Sequence, residues 1–509
     1  MYTKANDING GEMDYISGED REQTLLLPDS IEDYLDENNP VRVIDAYINS
    51  LDVLSLGFLR AELKETGRPP YNPKDLLKLY VYGYMNRIRS SRRLEQETKR
   101  NLEVLWLLGK LSPDHKTIAR FRQEHTQALK HVFCDFVRLC AKLELYGKEV
   151  VAIDGSKFKA VNSRRRNVTE KQIRDKIQKI TEKIDEYLEE LERNDAEEST
   201  AGSEKTKEEI AQIISDLNER KSRYQGYADE LERTGEKQKS LTDGDSRLMT
   251  GNGVKMDVCY NVQTAVDAQN KLIVAFEVSN QCNDKNFITP MAEQTQEILE
   301  AETITVIADA GYESVQDILS AQSQGADVHV SGTDFDVCVA AEATEEPAAI
   351  RSHHNGRCIY LAERNIALCP MGNILYPATH KKSKKRKEGI GVYHNYAACQ
   401  QCTCKCTTDA RGRFKHQVPM AKGDFSKPYD DAGLTVKQIR IKGDKQLLKQ
   451  RKAIVEHPFG TIKRSMDAGY CLTKGLRKVP GEFALTFLAY NFKRAINILG
   501  CDKLIAAME

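Results

Sequence analysis

Long apolar runs, net charge and tryptophan are all scarce in this chain of 509 residues. No stretch stays apolar for the roughly 20 residues that a membrane-crossing helix needs, and none reads as a secretory signal. A soluble, cytoplasmic protein without a membrane partner is therefore expected. Lys and Arg number 75 against 76 Asp and Glu, a net charge of −1, so no overall basic balance points to a polyanionic partner. Tryptophan occurs once, at Trp106. Thirteen cysteines without a secretory signal argue for reduced thiols or metal ligands and against a disulfide framework.

What the net sum hides is segregation. The first forty residues and the stretch 185–209 are acidic, whereas basic residues gather at 87–100, 157–166, 381–387 and 437–478. Phosphate responds to local patches of this kind, although each patch by itself also suits a solvated surface. The length allows two or three domains.

The most informative stretch is Val150-Val151-Ala152-Ile153-Asp154-Gly155. It reads as a short buried strand ending in a carboxylate, bounded by Gly147 and Gly155. Lys157, Lys159 and Arg164-Arg165-Arg166 follow. A rigidly held carboxylate beside a cationic run suits Mg²⁺ next to a phosphodiester. Alone, Asp-Gly is a turn dipeptide first. Two later segments weaken that reading. Ile304-Thr305-Val306-Ile307-Ala308-Asp309-Ala310-Gly311-Tyr312 is a second apolar strand ending in Asp. Ile454-Val455-Glu456-His457-Pro458-Phe459-Gly460-Thr461-Ile462-Lys463 puts a Glu on a helix-like segment with Lys463 two turns on.

With these segments the chain resembles bacterial insertion-sequence transposases of the DDE superfamily, over about residues 27–499. The resemblance implies an α/β catalytic core with an RNase H-like mixed sheet. It implies Asp154, Asp309 and Glu456 as catalytic carboxylates holding Mg²⁺ or Mn²⁺. It also implies double-stranded DNA as partner, both terminal inverted repeats and target DNA, with a homodimer or higher oligomer assembled on it in the nucleoid. Many relatives carry a longer signature of Tyr, Arg, Glu and Lys. Glu456 and Lys463 fit its final spacing, but its Arg position is Lys452, with Arg451 adjacent, and its Tyr position is Lys449. Some relatives stabilise a flipped base with a catalytic-domain Trp; the single Trp106 lies in the N-terminal region. A metal-dependent nuclease that cuts without joining, and a non-catalytic zinc-stabilised DNA-binding protein, are the competing readings; three intact carboxylates count against the second.

Along the chain, residues 1–26 read as an acidic, disordered tail. Residues 27–146 are helical in pattern. Asn72-Pro73 and Ser112-Pro113-Asp114 start helices, and Ser90-Ser91-Arg92-Arg93 lies between. The pattern suits a helix-turn-helix-like DNA reader or a plain bundle; the resemblance favours the reader, with Arg92, Arg93, Arg120 and Arg122 as DNA contacts. Residues 147–334 form the first part of the core. They are interrupted at 168–238 by two antiparallel helices with heptad seams through Ile173, Ile177, Ile180, Ile184, Leu188, Leu191 and Ile210, Ile213, Leu217, Tyr224, Leu231. This hairpin reads as a spacer, with subunit contact as the weaker alternative. Residues 335–434 form a Cys-rich insertion. Cys399 and Cys402, with Cys406 and Cys369, have the spacing of a structural Zn²⁺ knuckle, or are unliganded thiols in a loop-rich insert. Residues 435–509 complete the core with the Glu456 segment and an apolar helix. Pro458 is expected to kink or restart the helix beside Glu456. Lys157, Lys463 and Arg464 complete the expected DNA contacts.

Overall fold

The computed structural model describes residues 30–59, 69–196, 207–250, 256–331, 334–342, 359–361, 364–369, 373–377, 390–401, 417–421, 428–431 and 434–508. The acidic tail, the basic run near residue 385, Cys402 and Cys406 lie outside them.

Six helices come first: α1 (Pro40–Ser50), α2 (Pro73–Met85), α3 (Ser91–Arg100), α4 (Leu102–Leu107), α5 (His115–Glu124) and α6 (Thr126–Lys142). Their starts follow capping chemistry. The Asn72 side chain accepts from Lys74 N ahead of Pro73, and Asp114 accepts from Lys116 N and Thr117 N. α2 is buried over nearly its whole circumference, as a helix with neighbours on all sides must be.

The central sheet is built from β1 (Val150–Lys159), β2 (Met256–Asp267), β3 (Ile273–Ser279), β4 (Ile304–Ala308) and β5 (Ala326–Val330). Their order is β3-β2-β1-β4-β5, with the short strand Arg247–Thr250 sharing the outer edge of β2 with β3. β1, β2 and β3 run antiparallel in succession, whereas β4 lies parallel to β1, and β5 parallel to β4. This is the RNase H-like mixed sheet that the resemblance implies. The β1 strand does not end at its carboxylate: it runs through Gly155 to Lys159, because β2 is long enough to pair with it from Asp267 back to Cys259.

Between β1 and β2 rises the hairpin of α7 (Glu170–Ala196) and α8 (Lys207–Thr234), each about 40 Å long at 1.5 Å per residue. A small ribbon, Asn167–Thr169 paired with Gln238–Ser240, closes its root. One seam cluster joins Val168, Ile173 and Leu231 near the root; a second joins Ile180, Ile184 and Leu217 further out.

After β3 come α9 (Ile288–Leu299) and, between β4 and β5, α10 (Val315–Ser323). The Cys-rich insertion leaves and re-enters on a long ribbon, Asp334–Glu342 against Leu434–Lys442, and among the described residues carries five short strands of its own. Helix α11 (Lys445–Gly460) then crosses β1 and β4. It runs through Pro458 without restarting and widens just afterwards into a π turn, Thr461–Ser465. Helix α12 (Val479–Leu499) packs against α6 and α2, where Phe136 stacks on Phe492 at 4.1 Å between ring centres. One hydrophobic cluster therefore runs from Leu35 through the sheet to Leu504. Among the described residues no helix is long and apolar enough to cross a membrane.

Candidate active site

Register alone sets two acids side by side. β1 pairs with β4 through Val150↔Thr305, Val151↔Val306 and Ala152↔Ile307, a constant offset of 155 (305 − 150). Two residues further on, the same offset puts Asp154 level with Asp309 (154 + 155), and neighbouring strands lie about 4.8 Å apart. Asp309 caps the turn Ala310–Tyr312, accepting from Gly311 N at 2.8 Å; Asp154 accepts from Gly155 N at 3.0 Å.

Arg451 of α11 reaches both. Its Nη1 is 3.6 Å from Asp154 Oδ1 and its Nη2 is 4.0 Å from Asp309 Oδ2. Burial pushes the Asp154 carboxyl up to about 6, against the pull of the Arg451 charge and with a push from Asp309. Glu456 stands elsewhere. Five residues beyond Arg451, it lies about 140° further round the helix. Its side chain is 65 % exposed and pairs with Lys452 at 3.6 Å. Among the described residues no three His, Cys, Asp or Glu side chains gather closely enough to hold a metal between them. The structure thus brings two of the three expected acids together.

A third carboxylate close by is one that sequence reasoning missed. Asp284, in the loop between β3 and α9, has an Oδ1 that accepts from Lys157 Nζ at 3.0 Å, Asn261 Nδ2 at 2.7 Å and Gln263 Nε2 at 2.8 Å. Gln263 in turn accepts from the Tyr312 hydroxyl. Asn261, Gln263 and Tyr312 are all fully buried. Such a polar network is costly unless its members are paired. Gly155 makes the room: a Cβ there would lie 2.6 Å from Asp284 Oδ1. The glycine serves this close approach, not a turn.

Lys463, from the π turn, donates to Ser156 Oγ at 2.6 Å and Lys157 O at 2.9 Å, and sits over the Phe158 ring. Burial lowers its pKa. Arg464, Arg92, Arg93 and Arg120 are exposed. Arg122 is not, which corrects its reading as a DNA contact. It is 6 % exposed, and its guanidinium donates to the Tyr84 hydroxyl and the Arg89 carbonyl, because the apolar positions of α5 turn it inward. Of the cysteines expected to hold zinc, Cys369 is buried beside Ala367, Leu375 and Tyr393, and Cys399 lies in the short helix Tyr396–Gln400; Cys402 and Cys406 lie outside the described residues.

The donor set at Asp154 and Asp309 consists of hard carboxylate oxygens, which suit a divalent cation such as Mg²⁺. Their compensating cation is loosely held: Arg451 Nη1 is buried yet makes no hydrogen bond. A site that keeps an unsaturated positive group between two carboxylates fits a metal ion that would take that charge's place.

Comparison with known families gives two matches. A model described as "Transposase DDE domain" matches residues 233–492, which is 260 of the 509 positions, and one described as "Transposase domain (DUF772)" matches residues 29–124. No protein of curated function matches the sequence. Among solved structures, the chain is similar to a cryo-EM structure of the piggyBac transposase synaptic complex with hairpin DNA, at 8 % identity and a TM-score of 0.29, over 92 % of this chain and 79 % of that one. A likeness of that degree decides nothing about this chain.

Proposed function

Because the chain belongs to the DDE transposase family of insertion sequences, we propose that it binds the ends of such an element and catalyses metal-dependent DNA cleavage and strand transfer. The observation that carries this reading is the approach of Asp154 and Asp309, at the ends of the paired run of β1 and β4, to the one Arg451 guanidinium.

Asp154 and Asp309 would hold Mg²⁺ or Mn²⁺, with Glu456 as the third acid that the resemblance implies. The bound ion supplies charge stabilisation at phosphorus and an activated oxygen nucleophile. The chain's own residues do the rest. Lys463 and Lys157, tied to the β1 backbone and to Asp284, line the way to the acids with fixed positive charge for the phosphate on either side of the scissile bond. Asp284 is a positioning residue: it orients Lys157 by accepting from its ammonium group. Arg451 compensates the paired aspartates until substrate and metal arrive. Arg92, Arg93, Arg120 and Arg464, all exposed, are the proposed contacts to DNA away from the chemistry.

The test is paired. Gel shifts with a labelled element end measure binding, and nicking of the same end with Mg²⁺ or with EDTA measures chemistry. Asp154→Asn and Asp309→Asn are expected to keep binding and lose nicking by about 10²-fold or more, the scale of a lost transition-state stabiliser. Nicking that persists in EDTA would overturn the metal mechanism. Pre-cut ends that fail to join to target DNA would reduce the enzyme to a nuclease.

A further inference from the structure

The chemistry described above uses none of the cations at the root of the helical hairpin. There, a cavity of about 390 Å³ is lined by Arg165, Arg166, Lys176, Arg220 and Arg223, with Tyr224 and Tyr227 as its aromatic wall. Three separate segments converge on it: the turn Arg164–Arg166 that follows β1, the first turns of α7, and the last half of α8. Spacing on α8 is regular. Arg220, Arg223, Tyr224 and Tyr227 fall at i, i+3, i+4 and i+7, one face of a helix.

That face is not neutralised. Arg223 pairs with Glu219 at 2.8 Å on the exposed rim. Among the described residues no carboxylate lies within ion-pairing distance of Arg165, Arg166, Lys176 or Arg220. Lys176 instead lies over the Tyr224 ring, 5.1 Å from its centre, and Tyr224 meets Tyr227 edge-on at 5.8 Å. Tyr224 and Tyr227 pack against the hairpin seam of Ile173, Ile180, Ile184, Leu217 and Leu231, but a heptad seam needs no cluster of cations beside it, and gathering like charges in one concavity costs stability unless an anion shares it. The concavity follows the active-site strand along the chain, where Lys157 and Lys159 are paired with Asp284 and Asp257. From Asp154, β1 passes Lys157 and reaches Lys159 about 17 Å on, at 3.3 Å per residue, and the arginine turn begins five residues later.

We propose that the hairpin root is a second DNA-binding site, which holds phosphodiester groups of the DNA seated at the active site and clamps that DNA at a distance from the chemistry. This rests on the transposase reading, since it takes the polyanion to be DNA. Arginines are the appropriate donors, because the guanidinium fork matches phosphate oxygens, and the tyrosine hydroxyls add neutral donors beside them.

The test uses the full-length chain and a linear DNA duplex of random sequence, with Kd measured over a range of salt. In the Arg166→Gln/Arg220→Gln/Arg223→Gln variant, every phosphate left without its cation lowers the slope of log K against log salt by about 0.9. A decrease of about 2–3 is expected, together with a tenfold or greater loss of affinity at moderate salt. The same three positions changed to Lys keep the charge and should restore most of both. All three arginines are exposed, so both variants should fold, the lysine variant with the thermal midpoint of the wild type and the glutamine variant with one no lower, since it relieves the like charges. A glutamine variant with the unchanged slope and Kd would overturn the clamp and leave the transposase reading intact. A wild-type chain that binds no duplex would overturn that reading, and the clamp with it.

Discussion

At the residue scale, the site depends on small differences of room and charge. Gly155 is the sharpest case. Alanine there would put a methyl carbon 2.6 Å from Asp284 Oδ1 and against the Gln263 amide, and Asp284 cannot withdraw without releasing Lys157, Asn261 and Gln263 together. Gly155→Ala is therefore expected to lower nicking at least tenfold while gel shifts show end binding close to wild type; equal nicking would mean that Asp284 has no part in the chemistry. A second comparison separates the acids. If Glu456 is the third carboxylate, Glu456→Gln loses nicking as completely as Asp154→Asn, whereas Asp284→Asn loses about tenfold by misplacing Lys157. The reverse ranking would move the third acid's role from Glu456 to Asp284. Asp154 and Asp309 are legible in the sequence because each follows an unbroken apolar strand. Asp284 is not legible. It lies in a loop with no periodicity, and its three partners come from β1 and from the polar side of β2, which looks like a solvent face until both sides of the sheet are covered. Arg451 could be read only as the neighbour of a missing signature arginine.

Elements show the same division between what patterns reveal and what packing decides. The strands β1 and β4, the seam of the hairpin and the apolar helix α12 follow from local composition, since each is fixed by burial periodicity. Sequence does not show that α12 carries a buried ion pair. Glu482, 2 % exposed, accepts from Arg89 Nη2 at 2.6 Å, and also from Leu472 N, Thr473 N and the Thr473 hydroxyl. Arg89 further donates to the carbonyls of Asp467 and Tyr470. One pair thus ties the loop after α2 and the loop after the π turn to the closing helix. Removing one partner of a buried pair leaves an uncompensated charge and costs about 3–5 kcal/mol. Glu482→Ala is expected to lower the denaturation midpoint by that free energy, read from urea unfolding with an unchanged slope. A loss under about 1 kcal/mol would mean that water reaches Arg89. The N-terminal helices follow the same logic. Tyr47 and Phe136 both pack on Phe492 of α12, so a fragment of residues 27–146 alone would expose the apolar face of α6. Sequence-selective footprinting is therefore expected from the full chain, with the isolated fragment aggregating or unfolding.

For the molecule as a whole, the helical hairpin stands apart from one continuous core, to which the Cys-rich insertion contributes Leu368, and the hairpin divides into a functional root and a structural tip. The phosphate-binding residues of the root, from Lys176 inward on α7 and from Arg220 onward on α8, lie on the sheet side of the outer seam of Ile180, Ile184 and Leu217. Beyond that seam α7 carries mostly exposed charge, and Asp185, Glu186 and Glu189 are all exposed. Such a segment repels a phosphate backbone. A heptad repeat can be shortened without changing which residues face each other, provided that about seven residues leave each side of the seam. Deleting one heptad from each helix, distal to Ile184 and Leu217, removes about 10 Å of hairpin and leaves the root, the ribbon and the acids untouched. DNA affinity, its salt slope and Mg²⁺-dependent nicking are all expected to match the full-length chain within about twofold, because the deleted turns touch neither DNA nor the acids and distant sites act independently. If affinity survived but nicking of bound ends disappeared, the tip would have to act on the chemistry from a distance. In a chain whose hairpin tip lies about 40 Å along the helices from its own root, that action would have to come through the active site of a second copy.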